Sequence, residues 1–198
     1  MHGAESVSTM ASNGVVKTHL PFNLQPYHSK AKYLIVLRNS KDVCVSYYHH
    51  CRKSKSHFDG DFHAFFDIWI KGEVPFGDYF DHVLSWWRHK HDDNVTIIVY
   101  EDMKKNPRES VLNIAKFLGD DYVQKLIKNE KMIDVILERS SVSFMKKEMK
   151  FDFLVRKGVT GDWKNYFTEE ESQMVNDMYD RKFKGTGIEQ LWSDVMSL

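Results

Sequence analysis

Arg38, Asn39, Ser40 and Asp42 fall where an apolar run gives way to a helical pattern, and such a junction is suited to hold an anion. A guanidinium meets phosphate with two parallel N–H donors. The first amides of a helix add free N–H groups and the positive end of its dipole. Asn39 and Ser40 are good N-cap types, and Asp42 stands where a first turn favours negative charge. Ser46 lies about 9 Å along the helix from Ser40, too deep for the dipole to account for it. A second basic stretch, Arg156-Lys157-Gly158-Val159-Thr160-Gly161, joins cations to glycines, and glycine lets a backbone approach a ligand closely. His19 offers different chemistry, because a neutral imidazole can take up a proton near physiological pH. Lys17, two residues before it, is near enough in sequence to contribute positive charge. Plainer readings exist for each: a solvated turn with a surface Arg, a basic surface loop, a structural His beside Pro21.

The elements that must position these residues are legible from pattern. Tyr33 to Leu37 reads as a strand buried on both faces of a parallel sheet. Val95 to Tyr100 is a second β-branched run, and Val15-Val16 a short third. Asp78 to His91 carries Tyr79, Phe80, Val83, Leu84, Trp86 and Trp87 at helical spacing. Asn106-Pro107-Arg108-Glu109 predicts a helix start, with Asn106 as cap and Glu109 reaching back to it, and Gly119 ends that helix. Thr168 with Glu171 predicts another capping box. Strands alternating with helices imply an α/β fold, a parallel sheet flanked by helices. In such sheets ligands bind at the carboxyl edge, where the Arg38 turn lies.

Composition narrows the partners. The 198 residues suit one domain, and the 42% hydrophobic and 14% aromatic content predicts a folded core. A formal net charge of +0 gives no general attraction to nucleic acid or to an anionic membrane. No apolar run reaches the length of a membrane span. The first 14 residues lack the basic and apolar regions of a signal peptide and read as a flexible segment, 1–14. Cys44 and Cys51 lie seven residues apart on one predicted helix, about 10 Å along its axis, so no disulfide between them is expected. A reducing, cytoplasmic setting fits. His49, His50 and Cys51 point about 100° apart in turn and do not converge on a metal.

The wording of three segments, in order, resembles the cytosolic sulfotransferases. Lys17-Thr18-His19-Leu20-Pro21 is similar to that family's catalytic K-T-H-L-P segment. Arg38-Asn39-Ser40-Lys41-Asp42-Val43 through Tyr48 resembles its 3′-phosphate-binding segment. Arg156-Lys157-Gly158-Val159-Thr160-Gly161-Asp162-Trp163-Lys164 resembles its donor-binding loop. Smaller matches lie between, at Gly72-Glu73-Val74 with Phe76-Gly77, at Trp86-Trp87 and at Tyr100-Glu101-Asp102-Met103-Lys104. No G-x-x-x-x-G-K-[ST] pattern precedes His19. The resemblance therefore implies a partial sulfotransferase domain over 15–198, a P-loop-like fold lacking its first strand and phosphosulfate loop.

It further implies the donor 3′-phosphoadenosine 5′-phosphosulfate, PAPS, and no metal. His19 would be the general base, with Lys17 beside it. Arg38, Ser46, Arg156, Lys157 and Gly158 would hold the 3′-phosphate. Tyr100, Ser140, Ser141 and Val142 would border the adenine, Val142 standing where the family usually has an aromatic. Tyr47, Tyr48 and Phe76 would line the pocket for a small phenol, steroid, alcohol or amine. A catalytically inactive binder of 3′-phosphoadenosine nucleotides is the competing expectation. The family's pairing segment corresponds to Lys164 through Gln173, where Glu169 replaces an apolar Val and Gln173 an acid. The usual homodimer is accordingly expected to be weak or absent.

Overall fold

Two short aliphatic runs make the sheet. β1 (Tyr33–Leu37) and β2 (Val95–Val99) pair in parallel, with Tyr33 opposite Val95 and Leu37 opposite Val99. The coordinates are a computed structural model, which describes residues 14–53, 58–148 and 155–196. Of the expected flexible segment 1–14, all but Gly14 lies outside the described residues. Three helices cross from β1 to β2: α1 (Ser40–Lys53), α2 (Phe62–Trp69) and α3 (Tyr79–Trp87). After β2 come α4 (Tyr100–Lys105), α5 (Pro107–Leu118), α6 (Asp120–Lys128), α7 (Lys131–Arg139) and α8 (Val142–Glu148). A 3₁₀ turn at Asp162–Asn165, α9 (Glu169–Phe183) and α10 (Ser193–Met196) follow.

The caps explain several of these boundaries. Asp61 and Asp78 accept backbone N–H bonds at the starts of α2 and α3. Thr168 and Glu171 form the expected reciprocal capping box of α9. Asn106 precedes Pro107 as predicted, but its side chain makes no capping hydrogen bond. Its backbone carbonyl instead accepts from the hydroxyl of Ser110.

One main core joins the carboxyl end of β1 to helices α1, α2, α3 and α9. It holds Leu37, Val45, Phe65, Phe66, Phe80, Val83, Trp163, Val175, Phe183 and Trp192. A smaller cluster, Ala115, Leu126 and Ile133, packs α5, α6 and α7 together. Three expectations are corrected here. β1 is covered on one face only, since Leu34 and Val36 are 38% and 51% exposed while Leu37 is 1%. The alternation follows from the two-residue strand period, with no described element packed over the Leu34 face. Val15 and Val16 form no strand and are exposed, because no neighbouring strand among the described residues pairs with them. Tyr100 begins α4 instead of ending β2.

Candidate active site

The turn between β1 and α1 is fixed from beneath by a buried polar network. Glu101 accepts from the backbone N–H and the side-chain amide of Asn39, and from the indole N–H of Trp192 at 2.8 Å. Asp42 accepts from the Asn39 amide, from Gly161 N–H at 2.7 Å and from Trp163 N–H at 3.1 Å. The last two bonds tie the 156–163 loop to the start of α1. Buried carboxylates satisfied in this way hold a turn rigid, because no partner can leave without stranding a charge. Tyr79 of α3 adds a clasp, donating its hydroxyl to the carbonyl of Arg38.

Arg38 rises from that platform. It donates to Val159 O at 2.7 Å, stands 3.3 Å from Asp42 and lies over the Tyr100 ring at 4.5 Å. Its Nε is buried with no hydrogen-bond partner. A guanidinium N–H of this kind is costly unless an acceptor reaches it. Ser46 is exposed on α1, six residues after Ser40. Arg156 and Lys157 both donate to Asp162, Lys157 at 2.8 Å, and Asn165 adds a third bond at 3.0 Å. Burial alone would raise the Asp162 pKa, but these hydrogen bonds outweigh it and hold the carboxyl at about 2. Gly158 has φ +65, and a Cβ there would come within 2.3 Å of Val142 Cγ2. Only glycine fits that conformation and that approach.

His19 reaches the site on a segment pinned to α3. Trp86 donates its indole N–H to Leu20 O at 3.1 Å, and Ser85 accepts from Phe22 N–H. The His19 ring stacks on Phe76 at 4.3 Å, and Phe76 stacks on Tyr47 at 5.5 Å. Although exposed by area, His19 has its pKa lowered, first by burial and then by Lys17 and His50. Burial pushes the Tyr47 phenol up, so it stays protonated at neutral pH.

These residues meet in one cavity of about 350 Å³, lined by Lys17, His19, Arg38, Ser46, Tyr47, Phe76 and Arg156 among others. Seven predicted site residues from four separate segments thus come together. Gly158 is not among the lining residues, and Val142 lies where a Cβ on it would stand. Tyr100 touches Arg38 without lining the cavity. Ser140 and Ser141 cap local backbone, Ser140 donating to Leu137 O and Ser141 accepting from Phe144 N–H. Tyr48 does not face the pocket. It is 5% exposed and packs on Phe62 and Phe65. Adjacent helix residues point about 100° apart, so Tyr47 on the cavity sends Tyr48 to the core.

Sequence reasoning missed Tyr79 and His82 of α3 and gave Trp86 no role. His82 lines the cavity, its pKa lowered by burial and by His19. His49 lines it too and meets the Tyr166 hydroxyl at 2.8 Å. The Tyr79-x-x-His82 spacing, which places both on one helix face, was the available signal. Among the described residues no group of three His, Cys, Asp or Glu could hold a metal ion. Cys44 and Cys51 are both free and buried. No helix among the described residues is long and apolar enough to cross a membrane.

In this α/β domain a parallel β–α turn brings Arg38 to the same cavity as the imidazole of His19. The comparisons narrow this class. The family model described as the sulfotransferase domain matches residues 1–187, and the chain belongs to that family of enzymes. It is similar to guinea pig (Cavia porcellus) sulfotransferase 1E1, 35% identical over 201 residues, covering 96% of this chain and 68% of the relative. It is similar also to human sulfotransferase 1C2, 35% identical over 198 residues, covering 94% and 67%. The fold superposes on mouse sulfotransferase SULT7A1 complexed with PAP with a TM-score of 0.86, at 30% identity, over 97% of this chain and 73% of that one. The chain thus spans about two thirds of the length of these curated relatives.

Proposed function

We propose that this chain moves a sulfonate group from PAPS to the hydroxyl or amine of a small aromatic acceptor, with His19 as general base, in the cytoplasm. The observation that supports this best is the convergence of His19 on the same cavity as Arg38, Ser46 and Arg156. Arg38 brings a buried Nε that lacks a partner, which suits a phosphate oxygen. Arg38, Ser46, Arg156, Lys157 and Gly158 would hold the 3′-phosphate. Tyr100, Ser140, Ser141 and Val142 would border the adenine, and Tyr47 and Phe76 the acceptor ring.

PAPS, when bound, supplies a sulfonyl group activated by its link to phosphate. The chain's own part is protonic and electrostatic. His19 takes the acceptor's proton as the oxygen or nitrogen attacks, and its lowered pKa keeps it neutral and ready at pH 7. Lys17, in the same cavity, places positive charge where negative charge develops. Turnover of PAPS with 2-naphthol tests this. His19→Ala is expected to cut turnover by roughly 10²- to 10⁴-fold and leave nucleotide affinity unchanged. Equal turnover by both proteins would remove His19 from the mechanism. Nucleotide binding without turnover in the wild type would instead assign the chain to an inactive binder.

A further inference from the structure

His49 lines the cavity and takes no part in the transfer proposed above. It follows Ser46 by three residues on α1, so the two share a helix face, about 4.5 Å apart along the axis. Burial lowers its pKa, Arg156 lowers it next, and Lys53 and Arg52 add to this while Asp162 opposes it. The ring is therefore neutral at pH 7 and stands near both Ser46 and Arg156. It is also held in place. Nε2 meets the Tyr166 hydroxyl at 2.8 Å, the two rings lie edge to face at 5.4 Å, and Tyr166 packs on Phe62 of the core. Nδ1 has no hydrogen-bond partner among the described residues. A neutral imidazole carries one N–H, and a hydroxyl donating to Nε2 leaves that proton on Nδ1.

We propose that His49 is a further ligand of the 3′-phosphate: Tyr166 donates its hydroxyl to Nε2, and Nδ1–H donates to a phosphate oxygen beside Ser46 and Arg156. This rests on the phosphate site proposed above. A His49 that served only to join α1 to the 162–165 turn would act on every nucleotide alike, whereas a phosphate ligand acts on those that carry the 3′-phosphate.

The test is calorimetric titration of the full chain with adenosine 3′,5′-bisphosphate and with adenosine 5′-monophosphate. His49→Gln is expected to lose about tenfold in affinity for the bisphosphate, the worth of one hydrogen bond to a charged acceptor, and to bind the monophosphate as the wild type does. His49→Asn, whose amide nitrogen can stand near the Nδ1 position, should recover most of that loss. Tyr166→Phe, which frees the tautomer, should lose about threefold, again for the bisphosphate only; it leaves the imidazole in place and remains informative if the His49 variants fold poorly. Bisphosphate affinity unchanged in His49→Gln, or an equal loss for both nucleotides, overturns the proposal. An Asn variant no better than the Gln variant overturns the assignment of Nδ1. Equal affinity of the wild type for the two nucleotides removes the phosphate site itself and this inference with it, while a wild-type preference that His49→Gln leaves intact counts against His49 alone.

Discussion

Gly158→Ala isolates the contact on which the proposed phosphate site leans. The residue has φ +65, where an L side chain meets its own backbone at a cost of about 1 to 2 kcal/mol. A Cβ would also stand 2.3 Å from Val142 Cγ2, far inside van der Waals contact. Forcing a methyl into such packing costs roughly 1 to 3 kcal/mol. The sum is about 3 kcal/mol, and it falls on the loop that carries Arg156 and Lys157. If the loop shifts to escape the clash, the site opens and affinity for adenosine 3′,5′-bisphosphate drops by about 100-fold, at 1.4 kcal/mol per tenfold. If the loop holds, the whole fold bears the strain and the melting temperature falls by about 6 to 12 °C. Val142→Ala in the same chain removes the steric half and leaves the backbone half, so the double variant should recover about half of the loss. The assay is calorimetric titration with thermal unfolding of the wild type, both single variants and the double variant. A Gly158→Ala protein that matches the wild type in both measurements refutes the reasoning. So does a double variant no better than Gly158→Ala.

Three other outcomes follow from the same geometry. Asp42→Ala removes the acceptor of Gly161, Trp163 and Asn39 and leaves Arg38 without its ion pair; urea unfolding should show a loss of about 3 kcal/mol, as for other broken buried pairs. Lys41 is buried over the Trp163 ring and donates to Ser172 at 2.8 Å, and burial followed by Lys164 lowers its pKa to about 8. The unfolded chain therefore binds more protons between pH 8 and 10.5, stability should rise with pH across that window, and Lys41→Met should abolish the rise in denaturation curves. Glu169 is exposed in the first turn of α9, whose capping box needs no partner chain; light scattering should give a monomer at micromolar concentration, and a stable dimer unaffected by Glu169→Val would contradict that.

What the sequence revealed and what it hid divide along the range of the interactions. The strand-to-helix junction at Arg38 was legible because it is written in consecutive residues, whereas Ser46 and Arg156 were singled out through the family resemblance, and the fold brings all three to one cavity. The box at Thr168 and Glu171 was legible for the same reason as that junction. Tyr48 was misassigned because strand and helix limits do not fix the rotation of a helix about its axis. Packing against Phe62 and Phe65 does. The uncovered face at Leu34 and Val36 also depends on what packs there, which an apolar run does not disclose. Tyr79, His82 and Trp86 become site residues only because α3 crosses between the two strands and passes the His19 segment. Asp42 reads from sequence only as a first-turn acid, and Glu101 and Asp162 only as parts of longer matching segments. The fold shows all three buried, with Asp42 beside Arg38 and Asp162 beside Arg156 and Lys157.

The central claim is that Arg38, Ser46 and Arg156 together hold a 3′-phosphate in the cavity that His19 shares. It is tested most directly by titrating the chain with adenosine 3′,5′-bisphosphate and with adenosine 5′-monophosphate, which lacks that phosphate. Two charge-assisted hydrogen bonds at about 1.5 to 3 kcal/mol each predict a preference for the bisphosphate of at least 100-fold. Arg38→Met and Arg156→Met should each remove about tenfold or more of it. Equal affinity for the two nucleotides, or a preference that survives both substitutions, would contradict the account.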